Sequence, residues 1–191
     1  MFFAKYNSDG NFIFVKQIIE TSNTNTAWIT AIKTDNYSNI FIAGYGKPQN
    51  LDFDPGPKVA HAQSHGGDDA FFCKYDAAGN YVFSKAVGSS SDDDCLGLSF
   101  NKNKDIIITG SFSYADNDFD PNAGKITLPY KNGNDAFVGI YDSLGNYKYA
   151  FSFGGAKDDF GSSITTDNDS NIIVSGSFFG SVDFDPDTGV V

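Results

Sequence analysis

The chain has 191 residues with 40% hydrophobic and 16% aromatic content, and its 24 acidic and 13 basic side chains give a formal net charge of −11. This composition is sufficient for a packed core and excludes a disordered tail. All the basic residues are Lys, so the chain lacks the basic surface and the Arg side chains with which proteins bind nucleic acid. Its negative charge also opposes binding to anionic membranes. We therefore expect no nucleic-acid partner and no membrane insertion.

The first residues, MFFAKYNSDGNF, have no basic start, no long apolar run and no small-residue cleavage site, so they are not a secretory signal. No window of the chain reaches the length of a transmembrane helix. If the protein is exported, we expect its signal to lie outside this chain.

Apolar and polar side chains alternate along much of the chain with the period of two that is typical of strands. In chain order, the first such segment is 2–16, which predicts two strands joined by a polar turn. Residues 71–85 and 137–151 show the same hairpin pattern. A second hairpin is predicted at 95–110, where an unbroken apolar run after the turn NKNKD indicates a strand covered on both faces. No window of useful length shows a helical period.

The chain is an internal repeat with a period near 66 residues. The segment FFAKYNSDGNFIFVK at 2–16 returns as FFCKYDAAGNYVFSK and as FVGIYDSLGNYKYAF, and SNIFIAGY at 38–45 returns as KDIIITGS and SNIIVSGS. The first copy carries three extra residues near ETSNTNT. The repeat units are about 1–66, 67–132 and 133–191.

Two hairpins in each copy make a four-stranded unit, and radial stacking of such units is a β-propeller. The sequence therefore predicts an all-β fold of three propeller blades, each of about 66 residues. The predicted blades are 27–88, 95–154 and 160–191, the last completed by residues 1–18.

The run GGDDAFFCKYDAAGNYVFSKAVGSSSDD, followed by ITGSF and DFDP, resembles the SBBP family of bacterial β-propeller repeats. The resemblance spans all three copies. It implies a propeller fold in a secreted or cell-surface protein of Bacteroidetes, and it implies little about activity.

The chain departs from a complete compact propeller in blade number and in blade length. Three copies are fewer than the roughly four to eight blades that close a ring, and each copy is longer than a compact blade of about 40 to 45 residues. The extra residues of each copy fall at 45–68 and 111–134. In the second of these ranges, the segment KITLPY is expected to add a short edge strand. Exposed edges favour pairing with further propeller repeats or self-association into a ring or filament.

The phrase Asp-Phe-Asp-Pro occurs once in each copy. In an extended segment its two carboxylates lie on one face, about 7 Å apart, and repel each other unless their negative charge is neutralised. A calcium ion would neutralise it, since calcium binds several carboxylate and carbonyl oxygens at once. Alternatively, each Asp caps a turn and the intervening Phe is a core anchor. The candidate metal ligands are Asp52, Asp54, Asp118, Asp120, Asp183 and Asp185.

Other chemistry-bearing residues are few. His61 and His65 occur in one copy only and are interpreted as loop residues, because no Glu or Cys arrangement beside them predicts a metal or nucleophile site. Cys73 and Cys95 occupy small or apolar positions of the repeat and are interpreted as core residues, with a disulfide between them as the alternative. Trp28 is the one Trp of the chain and is either packed or free to stack on a sugar ring.

These observations predict a non-catalytic propeller segment of an extracellular or cell-surface bacterial protein. It would act as a structural scaffold or as an adhesion and interaction module, stabilised by calcium if the Asp pairs bind it, with a protein or glycan partner at a cell surface. The alternatives are a glycan-binding, lectin-like module and, with less support, an enzyme domain whose site lies at the mouth of the propeller.

Overall fold

The computed structural model describes residues 1–21 and 27–186. Its strands are β1 (Phe2–Tyr6), β2 (Phe12–Gln17), β3 (Ile19–Glu20), β4 (Trp28–Thr34), β5 (Ile40–Gly46), β6 (Leu51–Asp52) and β7 (Asp69–Tyr75). They continue with β8 (Tyr81–Val87), β9 (Asp94–Phe100), β10 (Ile106–Phe112), β11 (Asp135–Tyr141), β12 (Tyr147–Phe153), β13 (Phe160–Thr166) and β14 (Ile172–Ser177). A single 3-10 turn, Pro48–Asn50, is the helical element of this described part.

Two four-stranded antiparallel sheets form the centre of the molecule. Sheet I has the strand order β4-β5-β7-β8, and sheet II repeats it as β9-β10-β11-β12. A two-stranded sheet lies on either side of them: the first hairpin is β1-β2 and the last hairpin is β13-β14. This series of antiparallel four-stranded units confirms the predicted all-β, propeller-type fold.

The first two strands of each sheet are joined through a bulge that only glycine accommodates. A Cβ on Gly44 would collide with the carbonyl oxygen of Trp28, and a Cβ on Gly110 would collide with that of Asp94. The pairing register shifts at this level in both sheets. The glycine that ends each apolar run is therefore required by the close approach of the neighbouring backbone.

Apolar side chains join the layers, because the central strands of both sheets are covered on two faces. Between the sheets, Phe41 and Phe72 of sheet I pack with Ile108 and Tyr141 of sheet II in one buried cluster. Residues of the opposite face of sheet I, including Tyr75, pack with the first hairpin. The far face of sheet II packs with the last hairpin. The order of layers is therefore first hairpin, sheet I, sheet II, last hairpin.

Each hairpin is closed by a five-residue turn that begins and ends with Asp or Asn. In the turn of sheet II that begins at Asp142, the Oδ1 atom accepts the N–H groups of Leu144 and Asn146 at 2.8 and 2.9 Å. The same pattern occurs at Asp35, Asp76 and Asp167. These turns lie at one end of the sheets, so the long loops and the connections between layers lie at the other end.

Two parts of the predicted architecture differ from the observed one. The segment KITLPY forms no strand, because Leu128 is instead drawn into the core and its N–H is held by the Oδ1 atom of Asn117 at 2.7 Å. Residues 1–18 do not complete the third blade within the described chain, where the first and last hairpins are separate sheets. Most of the extra residues near ETSNTNT, and the end of the predicted third blade at 187–191, lie outside the described residues.

Candidate functional site: the Asp-Phe-Asp-Pro loops

Each Asp-Phe-Asp-Pro loop reaches back to the layer before it. In the loop of sheet II, Asp118 and Gly88 exchange two backbone hydrogen bonds of 2.7 and 3.1 Å, and Gly88 directly follows the fourth strand of sheet I. The equivalent pairs are Ile19 with Asp52 and Gly154 with Asp183. The repeated loop is therefore a clasp that joins one layer to the next, three times along the chain.

The first Asp of the phrase organises the loop through its side chain. The Oδ1 atom of Asp118 accepts the N–H groups of Asp120 and Ile126, both at 3.0 Å. Asp52 makes the same two bonds, to the N–H groups of Asp54 and Ala60 at 3.1 and 3.0 Å. In the third copy Asp183 accepts the N–H of Asp185 at 3.1 Å. The carboxylate thus satisfies backbone donors on both sides of the loop.

The second Asp and the Phe have distinct structural roles. Asp120 caps a tighter turn by accepting the N–H of Asn122 at 3.0 Å, as Asp54 does with Gly56 at 2.8 Å. Phe119 is fully buried, packs against Phe137 with ring centres 4.8 Å apart, and accepts a hydrogen bond from the Tyr141 hydroxyl at 3.2 Å through its carbonyl. The corresponding bond from Tyr75 to the carbonyl of Phe53 is 2.9 Å long.

These contacts bear on the calcium hypothesis. The structure brings the two Asp residues of each loop together, but it separates the three loops along successive layers. Among the described residues, no group of three or more His, Cys, Asp or Glu side chains is arranged to hold a metal ion. The observed hydrogen bonds directly support the turn alternative, and calcium binding by Asp52, Asp54, Asp118, Asp120, Asp183 and Asp185 stays a prediction.

A second set of acids at the same end of the sheets is buried, and the sequence interpretation missed its role. Asp93 lies in the connection between sheets I and II, where it accepts hydrogen bonds from the N–H and Oγ of Ser89 and, at 3.1 Å, from the N–H of Ser113. Asp159 repeats this arrangement with the N–H groups of Gly155 and Phe179 at 2.6 and 3.1 Å. Each of these carboxylates ties a connection to the loop of the following layer.

Burial raises the pKa of three acids at this end of the sheets, Asp69, Asp93 and Asp135. It raises the pKa of Asp93 to about 7, although the hydrogen bonds from Ser89 and Ser113 act in the opposite direction. Burial likewise raises the pKa of Asp69 to about 6, against the N–H of His65 and the hydroxyl of Ser64. For Asp135 burial again raises the pKa to about 6, opposed by the N–H of Lys131. The signal that could have identified them is the recurrence of an Asp at the first residue of a strand or directly before it.

The remaining candidates lie apart from one another. The Nδ1 atom of His61 lies 2.8 Å from the carbonyl oxygen of Leu51, which is consistent with the interpretation of His61 as a loop residue. Cys73 and Cys95 are both free and fully buried, which confirms their interpretation as core positions. Trp28 is 58% exposed at the start of β4, where it pairs with Tyr45. Packing alone therefore does not account for this ring.

The comparisons with known proteins agree with the fold. No family model matches the chain. The chain is similar to an uncharacterised WD repeat-containing protein of Acanthamoeba polyphaga mimivirus, with 27% identity over 173 residues. The match covers 78% of this chain and 12% of the length of that protein. WD repeats form four-stranded propeller blades, so the similarity points to the same class of architecture.

A helix with the length and apolar character needed to cross a membrane is absent from the part of the chain that the structure describes.

Proposed function

We propose that the chain is a non-catalytic propeller module of a secreted or cell-surface bacterial protein, where it serves as a scaffold or as an adhesion and interaction module. The observation that carries the proposal is the use of the recurring acids. At the loop end of the sheets, the first Asp of each Asp-Phe-Asp-Pro loop and the buried Asp93 and Asp159 accept hydrogen bonds from the backbone of the chain itself. These acids therefore act in stacking the layers rather than in a reaction.

The location and partner class rest on the resemblance to SBBP repeats and on the surface charge. A net charge of −11 keeps a protein soluble and away from anionic polymers, and it suits partners that are proteins or glycans. Stacked sheets also present an extended surface without requiring a cofactor.

Protease treatment of intact producing cells tests the location. We expect the protein to be removed while an intracellular marker is retained, and protection of the protein until the cells are lysed would contradict the proposal. Beads coated with the purified chain test adhesion. They should bind to cells more strongly than beads coated with an unrelated protein of equal charge, and equal binding would refute an adhesive role.

The second candidate function is glycan binding, which the exposure of Trp28 favours. An exposed Trp ring stacks on the apolar face of a sugar, and burial of that ring changes its fluorescence. A glycan array should then give hits that Trp28→Ala abolishes, while Tyr149→Ala, which removes another half-exposed ring, keeps them. Silence of the array together with unchanged fluorescence would exclude this function.

A further inference from the structure

We propose that two copies of this chain associate head to tail, the β14 edge of one copy pairing with the β1 edge of the other. The last hairpin of one copy and the first hairpin of the second then form one complete four-stranded sheet. This inference rests on the repeat and the sheet geometry, and it does not depend on the proposed function.

The two hairpins are the complementary halves of one sheet. In sheets I and II the second strand pairs with the third, as β5 with β7 and β10 with β11. By sequence, β14 is the equivalent of β5 and β10, and β1 is the equivalent of β7 and β11. In the described residues, β14 pairs only with β13 and β1 pairs only with β2, so each hairpin presents the edge that the other matches.

Sheet II supplies the register of the new pairing. There Ile106 lies opposite Tyr141, Ile108 opposite Gly139 and Gly110 opposite Phe137, and sheet I repeats this register without a shift. The equivalent residues place Ile172 opposite Tyr6, Val174 opposite Ala4 and Gly176 opposite Phe2 of the second copy. A slip by one residue would move every side chain to the wrong face, so the register is a specific expectation.

A cavity lies between sheet II and the last hairpin, at the position that Phe2 and Tyr6 of the second copy would occupy. The cavity has a volume of about 360 Å³ and is lined by Phe153 of sheet II and by Val174, Gly176, Phe178 and Phe184 beside the last hairpin. In sheet II the equivalent space is filled by two fully buried rings, Phe137 and Tyr141.

The residues that would fill the cavity are exposed in the single chain. Phe2 and Tyr6 are 67% and 58% exposed, whereas their equivalents in sheets I and II are completely buried. The equivalent rings Phe71 and Phe137 pack edge-on against the Phe of their Asp-Phe-Asp-Pro loop, which in the last hairpin is Phe184. The Tyr6 hydroxyl would correspondingly donate to the carbonyl of Phe184 in the other copy.

A second cavity lies on the opposite side of the same junction. It has a volume of about 290 Å³ and is lined by Phe3, Ile32, Thr34 and Ile40, between the first hairpin and sheet I. Its occupant would be Ile173 of the other copy, which is 53% exposed. At the equivalent position of sheet I, Phe41 is buried and packs against Phe100 of sheet II at 4.8 Å. Both copies therefore offer a protruding apolar side chain and a matching cavity.

The number of sheets indicates how many copies close the assembly. In the described residues, each chain has two four-stranded sheets and two half sheets formed by its first and last hairpins, besides the short β3-β6 pair, and these amount to three blades. One chain falls below the roughly four to eight blades of a closed propeller, whereas two chains with two identical junctions give six. A head-to-tail contact that closes in this way yields a defined dimer rather than a filament.

Sedimentation equilibrium of the purified chain tests the proposal. We expect twice the 20.6-kDa mass of one chain. Phe2→Asp and Ile173→Asp each place a charge in a junction cavity, and each occurs at both junctions of the dimer. Each should therefore weaken the dimer by roughly 1,000-fold, since a buried apolar anchor contributes about 2 kcal/mol at each junction. The control Leu144→Asp, in an exposed turn away from both edges, should leave the dimer unchanged. Circular dichroism checks that all three variants are folded.

Mixing the two defective variants separates a head-to-tail contact from a symmetric one. Phe2→Asp leaves the β14 side intact and Ile173→Asp leaves the β1 side intact, so their mixture should form a 1:1 dimer through one sound junction. A monomer at every concentration, or a wild-type dimer that neither substitution weakens, would overturn the proposal. Failure of the mixture to associate, although each variant is folded, would do the same.

Disulfide trapping tests the register. Ala4→Cys with Val174→Cys in one chain should give a dimer on a non-reducing gel, because opposite residues of antiparallel strands have Cβ atoms about 4.5 to 5.5 Å apart. Ala4→Cys with Ile173→Cys is the control, since these positions face opposite sides of the sheet. Cys73 and Cys95 are buried and do not interfere. Equal trapping of both pairs, or of neither, would refute the register.

Discussion

Asp118 is the residue whose replacement best distinguishes a structural clasp from a metal site. Its Oδ1 atom accepts two backbone N–H groups, from Asp120 and Ile126, each at 3.0 Å. Asp118→Ala leaves both donors without this acceptor in a partly buried loop. Hydrogen bonds to charged groups contribute about 1.5 to 3 kcal/mol each, and water replaces part of that at a partly exposed site. We expect the free energy of unfolding to fall by about 2 kcal/mol, which for a chain of this size lowers the Tm by roughly 4 to 8 °C.

Asp118→Asn is the matched control. The amide oxygen of Asn accepts the same two N–H groups but supplies no carboxylate to a cation. If Asp118 acts as a clasp, Asn should lose less than half of what Ala loses. The Tm of each variant should be the same in calcium and in EGTA.

Thermal unfolding followed by circular dichroism, with urea unfolding at 25 °C for the free energies, is the appropriate assay. The reasoning would be refuted if Ala and Asn lowered the Tm equally. A rise in the Tm of the wild type on adding calcium, abolished in Asp118→Asn, would establish the calcium site instead, because a ligand that binds only the folded state stabilises it by mass action.

Two further predictions concern groups buried between the layers. Tyr141→Phe removes the hydrogen bond to the carbonyl of Phe119 and should lower the free energy of unfolding, measured in urea, by about 1 to 3 kcal/mol. The control Tyr81→Phe removes a hydroxyl that pairs with Ser84 in a partly buried position, and it should lower the free energy of unfolding by less than about 1 kcal/mol. Equal losses would contradict this assignment. Burial raises the pKa of Asp93 to about 7. Between about pH 4 and 7 the folded state therefore holds a proton on Asp93, whereas the unfolded state has already released it. The free energy of unfolding should then fall as the pH rises through that range. Urea unfolding at pH 5 and 7.5 should show the difference, and Asp93→Asn should reduce it; an unchanged slope in the variant would assign the dependence to other groups.

The strands were predictable from the sequence because their environment is local. Alternation at 71–85 predicts a hairpin whatever lies around it, and the structure has β7 and β8 there. The apolar run Ile106 to Ile108 predicts a strand covered on both faces, and all three side chains are fully buried. The internal repeat then extends each of these predictions to the other copies, since equivalent segments meet equivalent neighbours.

What the sequence did not predict depends on partners far away in the chain. Asp93 is held by Ser113, twenty residues later, and the pattern of residues does not show that a loop of the next layer returns to it. Leu128 lies in a segment with the composition of a strand, yet its N–H bonds to the side chain of Asn117 and not to a neighbouring strand. A repeat also cannot show which copy of a strand pairs with which, so it does not decide whether residues 1–18 complete the third blade within one chain, where the first and last hairpins form separate sheets.

The comparison of copies separates residues that stack the layers from residues available for a ligand. A position that carries the same chemistry in every copy and makes the same contact in each, as the first Asp of the loops does, is explained by the clasp. Trp28 corresponds to Asp94 in the second copy and to Phe160 in the third, and its exposed ring has no counterpart in the stacking contacts. Because stacking imposes the same demand on every layer, selective binding of a ligand must come from positions that differ between copies. The search for a ligand should therefore begin at Trp28 rather than at the recurring acids.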